Sequence, residues 1–382
     1  MFSYPTPFTP PTKEDDRLSW LRLIRSRRVG PATFHRLLAE HGSATEALKA
    51  LPHLARASGL TDYSPCPESV ALAELRAAAR AGAQMLMHGA PDYPAALADL
   101  PDAPPLLWAL GDCALLARPT VALVGARNAS SLGTRMARHL AEGLGRAGIV
   151  VVSGLARGVD TVAHEAALAT GTAAVMAGGL DVIYPPENAA LAGALRDRGL
   201  LLSEQPFGLD PQARHFPQRN RIIAGLSHAV VVVEAAAQSG SLITARLALD
   251  IGRDVLAVPG HPFDGRAGGC NTLIRDGATL VRGPEDVLAA LGYPAAPSSG
   301  PPARRPVAAA VPARPAGAAE GDRTLHDLPA RILTLLGPSP VAEDQLIRDL
   351  DLPVATVTPE LVALEVEGRI LRHPGGMVAL AL

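Results

Sequence analysis

Val121-Ala122-Leu123-Val124-Gly125-Ala126-Arg127-Asn128-Ala129-Ser130 is the stretch on which the fold turns. Four apolar residues in a row, closed by a glycine and followed by a helical stretch at 133–147, describe a strand buried on both faces that feeds a helix. The same kind of run recurs at 149–152, 173–176, 200–202, 229–233 and 255–258, with helical stretches such as 159–170 and 242–251 between them. Short apolar runs alternating with helices are βαβ units. Residues 87–293 are therefore expected to form an α/β domain, Rossmann-like and doubly wound, around a mostly parallel sheet.

In such a sheet, ligands gather beyond the carboxyl ends of the strands. The segment after the first strand is not GxGxxG. The second strand ends on Ser153-Gly154, where a dinucleotide fold needs an acid for the ribose. No nicotinamide, flavin or other cofactor is expected. What stands there instead suits an anion. Gly125 lets the backbone come close, Arg127 offers a planar fork for a phosphate, and Ser130 can cap the helix or donate to an oxygen.

Two further pieces carry the same chemistry. Ser239-Gly240-Ser241-Leu242-Ile243-Thr244 follows Glu234 and opens a helix. A Ser-Gly-Ser turn there predicts a nest of backbone N–H groups at a positive helix end, with hydroxyls from Ser239, Ser241 and Thr244. Arg214-His215-Phe216-Pro217-Gln218-Arg219-Asn220-Arg221 reads as a segment leading into a short helix at 222–226. Its arginines neutralise phosphates, and Phe216 offers a ring for an unpaired base, worth roughly 1–3 kcal/mol. The plainer readings are that Ser130 is only a cap, Phe216 is core, and Arg219 and Arg221 pair with Glu234 or Asp250. Several phosphate subsites on one sheet edge suit a polynucleotide strand better than a mononucleotide.

Composition sets limits. With 35 basic and 37 acidic residues the net charge is −2, which excludes a globally basic nucleic-acid protein but not a local patch. Lys13 and Lys49 are the only lysines and neither sits in a Gly-Lys-Ser/Thr loop, so a P-loop and lysine Schiff-base chemistry are excluded. Cys66, Cys113 and Cys270 are far apart with no CxxC, against a disulfide framework or a thiolate zinc site. Without an apolar leader or a membrane-length run, a cytoplasmic location with no membrane partner is expected. Asp160 and His164, at i and i+4, form either an acid–base pair or a structural set in which Asp160 caps a helix and His164 packs beneath it. Glu204 and Glu234 both end strands and could meet in the cleft.

The flanks complete the organisation. Residues 1–16 read as a tail. Residues 17–86 read as short helices around a Gly30-Pro31 turn, a small SAM-like or helix-hairpin-helix-like domain. Residues 294–323 are a Pro/Ala-rich linker. Residues 324–382 read as helices followed by a hairpin, a winged-helix domain. Its third helix, expected at 359–367, carries Glu360, Glu365 and Glu367, which favours a protein contact over duplex DNA.

Gly125-x-Arg127-x-x-Ser130, Ser153-Gly-Leu-Ala-Arg-Gly-Val-Asp160-x-x-Ala-His164, Phe216-Pro-x-Arg-Asn-Arg-Ile-Ile-Ala-Gly-Leu-Ser227, Ser239-Gly-Ser-Leu-Ile-Thr-Ala245 and Val258-Pro-Gly260, in this order, resemble the signatures of the DNA-processing protein A family (DprA, also called Smf). The resemblance implies a non-enzymatic protein that binds single-stranded DNA in a basic pocket of the Rossmann-like domain. It implies a homodimer formed through that domain, which loads the RecA recombinase onto incoming strands during natural transformation, displacing single-strand-binding protein and protecting the strand. It maps the pocket onto Arg127, Phe216, Arg219, Asn220, Arg221 and the 239–244 turn. Many members carry a lysine just before the Phe-Pro pair, and Arg214 stands near that place here. The rival is a nucleotide-binding or nucleotide-cleaving enzyme like the phosphoribohydrolases, which use a Pro-Gly-Gly-x-Gly-Thr loop and a catalytic glutamate. Here Ser239-Gly240-Ser241 replaces that loop, and Val258-Pro-Gly260 runs into His261-Pro262. A duplex-DNA regulator acting through the winged helix is the third reading.

Overall fold

The computed structural model describes residues 11, 13–293 and 327–381. The linker expected at 294–323, and residues 1–10 and 12 of the expected tail, lie outside the described residues. The end of that tail needs correction, because helix α1 (Glu14–Arg25) already begins at residue 14. Its first turn is Glu14, Asp15 and Asp16, whose carboxylates complement the positive end of the helix.

Helices α2 (Pro31–His41), α3 (Ala44–Ala57) and α4 (Glu68–Ala81) complete the N-terminal unit. Pro31 occupies the first position of α2, where a missing N–H costs nothing, and Gly42 ends that helix in the left-handed region at φ 75°. Trp20, Leu21, Phe34, Leu37 and Leu51 form its core. The unit is anchored to the sheet. Arg25 clasps Glu74 at 2.8 Å and donates to the Glu204 carbonyl at 2.9 Å, while Trp108 Nε1 donates to Glu74 at 2.7 Å.

Strand β1 (Gln84–Met87), helix α5 (Ala95–Ala98) and β2 (Leu106–Gly111) follow. β1 pairs with β2, so the boundary expected between residues 86 and 87 cuts through a strand of the central sheet. The chain continues through β3 (Thr120–Val124), α6 (Ser131–Arg146), β4 (Val150–Ser153), α7 (Val159–Ala167), β5 (Thr172–Val175), α8 (Ala189–Arg198) and β6 (Leu200–Ser203). It then runs through α9 (His215–Leu226), β7 (Ala229–Val232), α10 (Ser241–Asp250), β8 (Asp254–Ala257), α11 (Gly268–Arg275), β9 (Thr279–Leu280) and α12 (Pro284–Ala290).

The sheet order is β1-β2-β6-β5-β4-β3-β7-β8-β9. β1 and β2 form an antiparallel edge, and every pairing from β6 to β9 is parallel. Alternate residues of β3 feed opposite cores. Val121 and Leu123 pack with Ala137 and Leu140 of α6, and Ala122 and Val124 pack with Ile222 of α9 and Ala245 of α10. Helices therefore cover both faces, as the unbroken apolar runs require. The chain winds outward from β3 to β6, then α9 carries it back to β7 on the other side of β3. The β3/β7 boundary is thus the topological switch point, where such sheets open a crevice.

The C-terminal unit is α13 (Leu328–Leu335), β10 (Val341–Ala342), α14 (Glu343–Leu350), α15 (Val354–Val366), β11 (Ile370–His373) and β12 (Met377–Leu380). Its small sheet runs β10-β12-β11, a winged helix. α15 starts at Val354 rather than at the expected 359, with Pro359 inside it. Among the described residues, no helix is long and apolar enough to cross a membrane.

Asp160 and His164 have separate partners. Asp160 accepts from the amides of Gly154 at 3.0 Å and Ala156 at 3.3 Å, so it caps the loop after β4 rather than its own helix, whose N-cap is Gly158. His164 is fully buried with Nδ1 2.7 Å from Thr172 Oγ1, and its Nε2 has no partner among the described residues. Burial, and secondarily Arg219, pulls its pKa from 6.5 down to about 3. The unfolded chain takes up this proton as pH falls below 6.5 while the folded chain refuses it. The stability involved is complete above that pH and declines below it, by at most about 1.4 kcal/mol per unit. Urea unfolding of the wild type and His164→Gln between pH 7 and pH 5 should therefore give a flatter pH slope in the variant. Identical slopes would contradict this role.

Candidate nucleic-acid interface

A cavity of about 910 Å³ opens beyond the carboxyl ends of β3 and β7. The loop after β3 (residues 125–128), one face of α9 and the turn into α10 (residues 239–241, with Thr244) line it. The three pieces singled out in the sequence therefore meet.

Helix α9 decides which residues face the cavity. It begins at His215, not at residue 222, because Pro217 lies in the first turn, where proline is tolerated. At about 100° per residue, Phe216, Arg219, Asn220 and Ile223 share one face, and all four line the cavity. Arg221 falls about 140° around from Phe216. Its guanidinium binds Glu204 and donates to the Asp102 carbonyl at 2.7 Å, with the Asp102 carboxylate 3.6 Å away. This removes Arg221 from the cavity and replaces its expected partners Glu234 and Asp250. Arg214 is exposed at the helix start, with its Nε 3.3 Å from His215 Nε2. His215 is buried and accepts from the Gln212 amide at 3.1 Å; burial, then Arg214, lowers its pKa. Neither is among the residues lining the cavity.

The phosphate position of a nucleotide-binding fold, at the N-terminus of α6, is taken by the protein itself. Glu234 accepts from the Ser130 amide at 3.0 Å and from the Ser130 hydroxyl at 2.5 Å, and Ser130 Oγ accepts from the Gly133 amide at 3.0 Å. A Cβ at Gly133 would overlap the Glu234 carboxylate. Burial raises the pKa of Glu234 and the Ser130 hydrogen bonds oppose the rise. Ser130 is therefore a buried cap bound to Glu234, not an outward phosphate donor. Glu204 and Glu234 do not meet, because β6 and β7 lie four spacings apart, about 19 Å. Gly125 has a packing reason as well: a Cβ there would come 2.6 Å from Val159 Cγ2 of α7.

Arg219 fills the other half of the crevice. Its guanidinium donates to the Gly154 carbonyl and, at 2.8 Å, to the Val175 carbonyl, while Nε donates to Asn220 at 3.1 Å. Asp160 opposes its charge. Burial lowers the Arg219 pKa to about 10, so it stays charged at neutral pH. A Cβ on Gly154 would overlap this guanidinium. The ribose position of a dinucleotide fold thus holds an arginine tail.

The rim of the cavity carries the exposed groups. Arg127 is exposed, with its guanidinium 5.4 Å from the centroid of Phe216. Phe216 is half-buried, and Tyr184 lies 5.8 Å from it at 59°, so Phe216 is a rim platform rather than core. Three amides of the turn before α10 are already engaged within it. Its amides at Ser239, Leu242 and Ile243 donate to Ala236, Ser239 and Gly240 within the turn, at 3.0, 3.1 and 3.2 Å. Polar surface is also supplied by the hydroxyls of Ser239 and Ser241, 2.7 Å apart, with the Ser241 amide 3.4 Å from Ser239 Oγ and buried Thr244 beneath. Gln238, Phe263 and Arg266 also line the cavity and were not foreseen. The last two follow β8, so the rule of carboxyl ends could have found them. Among the described residues, no group of three His, Cys, Asp or Glu side chains is placed to hold a metal ion.

A doubly wound sheet with its nucleotide crevice filled from within, flanked by a helical unit and a winged helix, defines the class of protein. Residues 84–292 match the family model of DNA recombination-mediator protein A, 14–77 the DprA-like N-terminal HHH domain, and 312–376 the DprA winged helix domain. The chain belongs to the DNA recombination-mediator protein A family. It is 37% identical to the Smf protein of Synechocystis over 314 residues, covering 76% of this chain and 79% of that one. It is 48% identical to the DNA processing protein DprA of Streptococcus pneumoniae over 199 residues, covering 52% and 70%. The solved structure of the Streptococcus pneumoniae protein matches with a TM-score of 0.57 at 36% identity, over 69% of this chain and 98% of that one. DNA processing protein A from Helicobacter pylori, whose structure is described for its single-stranded DNA binding mode, matches at 0.50 and 32%, over 55% and 95%.

Ser130→Ala removes both a helix cap and a partner of buried Glu234. It should cost about 1–3 kcal/mol in urea unfolding. An unchanged midpoint would contradict the structural role given to Ser130.

Proposed function

We propose that this chain binds single-stranded DNA along the outer face of its Rossmann-like domain and loads the RecA recombinase onto it during natural transformation or recombination. The observation that carries the reading is the pairing of exposed Arg127 with the Phe216 ring beside the Ser239–Ser241 hydroxyls. A base can stack on the ring while its phosphates meet the guanidinium and the hydroxyls. Arg219, Asn220, Gly240 and Thr244 shape the floor of this surface. Gly125 and Ser130 support it from behind, and Arg214, His215 and Arg221 hold the start of α9 and its packing. Membership of the family, and the single-stranded DNA binding described for the Helicobacter pylori protein, support the same reading. The proposed partners are single-stranded DNA, RecA and single-strand-binding protein. We also propose a homodimer formed through the Rossmann-like domain, acting in the cytoplasm.

This is a binder's role rather than an enzyme's. A nucleotide-cleaving site like that of the phosphoribohydrolases needs an open crevice and an available glutamate. Here Glu234 is hydrogen-bonded to Ser130 and the crevice holds Arg219.

Salt titration of binding to a fluorescent oligo-dT tests the proposal. Arg127→Ala should weaken binding and reduce the slope of log K against log salt by about 0.7, the value for one phosphate of a single strand. Phe216→Ala should cost about 1–3 kcal/mol with the slope unchanged. A duplex of equal length should bind more weakly, because its base faces are stacked. Unchanged binding in both variants, or equal affinity for duplex, would refute the reading.

A further inference from the structure

We propose that the winged helix is a lid latched over the single-strand surface, so that the chain takes up DNA only when the lid lifts. The proposal rests on the reading of that surface given above. The outer wall of the 910 Å³ cavity comes from the winged-helix unit: Leu333, Thr334, Leu336, Pro338 and Leu380. None of these carries a charge that could hold a phosphate. The lid covers the cavity without adding a binding group to it.

Polar contacts at two points fasten it. Arg266, on the Rossmann-like side, is held by Asp264 at 3.1 Å and donates to the carbonyls of Thr334 and Leu336, each at 2.5 Å. These carbonyls close helix α13, where acceptors lack helical partners and a cation is favoured. Arg266 lines the cavity, so closure diverts one of its cations from DNA to the lid. At the second point, the Ser131 hydroxyl in the first turn of α6 donates to Asp349 of α14, whose other oxygen accepts from Gln345 at 2.7 Å. An acidic group is favoured at that helix end.

The fit between the units is close at Gly337 and open at a second cavity. A Cβ on Gly337 would come 3.0 Å from Asp264 and 3.1 Å from Arg266. Nearby, a second cavity of about 740 Å³ separates the two units, with Arg135 and His139 on one wall and Leu335 and Val341 on the other. A contact made by a few polar groups around a void is the kind that opens, as inter-domain contacts generally do. Binding to a chain that is mostly closed is weakened by the closed fraction.

A locked lid tests this with the full chain. Ser131→Cys and Asp349→Cys are combined with Cys113→Ser, since Cys66 and Cys270 are buried. Oxidation should form the disulfide. Oligo-dT should then bind at least about tenfold more weakly than to the same chain after reduction. Conversely, Asp349→Ala and Gly337→Val, both on the lid, should each tighten oligo-dT binding by at least about threefold over the wild type. Failure of the disulfide to form, equal binding in both redox states, or unchanged affinity in both lid variants would overturn the lid. A disulfide that forms in a chain unable to bind oligo-dT even when reduced would place the failure in the single-strand reading, and the lid would fall with it.

Discussion

The Arg219 guanidinium, buried against the carbonyls of Gly154 and Val175 and opposed by Asp160, is the interaction on which the rest of the structure depends. It ties crossover helix α9 to the carboxyl ends of β4 and β5, and so sets the rotation of that helix about its axis. Once Arg219 points inward, Phe216 and Asn220 must face the cavity and Arg221 must face away. A charge so deeply buried is tolerable only with its partners in place, and removing one such partner typically costs about 3–5 kcal/mol. Gly154 belongs to the same constraint, because any side chain there would displace the guanidinium.

Arg219 and Glu234 together change what the fold can bind. A doubly wound sheet offers a phosphate position at its first helix and a ribose position at its second strand. Glu234 occupies the first and Arg219 the second. The switch-point geometry is kept, but its phosphate and ribose positions are taken by the protein's own charges. Chemistry is thereby moved to the rim, where an exposed arginine, an aromatic ring and a pair of hydroxyls lie side by side. A rim is suited to an extended chain, whereas a closed crevice is suited to a single nucleotide.

Much of this was legible in the residues. The unbroken apolar runs located β3 to β8, because strands buried on both faces have no polar alternation. The rule of carboxyl ends then picked out Arg127 and the 239–244 turn. What escaped was local conformation. Phe216-Pro217 among three arginines reads as a loop, although proline is harmless in a first helical turn, and that misreading kept Arg221 with the site. The Ser-Gly-Ser turn reads as an anion nest with all its amides outward, whereas those of Ser239, Leu242 and Ile243 bond carbonyls within the turn. The contact of Arg266 with α13 had no sequence signal at all, since it joins residues about seventy positions apart across two units.

The central claim, that the internally filled crevice leaves its rim as the ligand surface, is tested most directly by hydrogen exchange with and without oligo-dT. The account predicts new protection at residues 125–128, 216–220 and 238–244, with β4, β5 and the N-terminus of α6 unchanged. Protection concentrated on α15 and the β11–β12 hairpin, or on α1 to α4, with the rim unaffected, would contradict it.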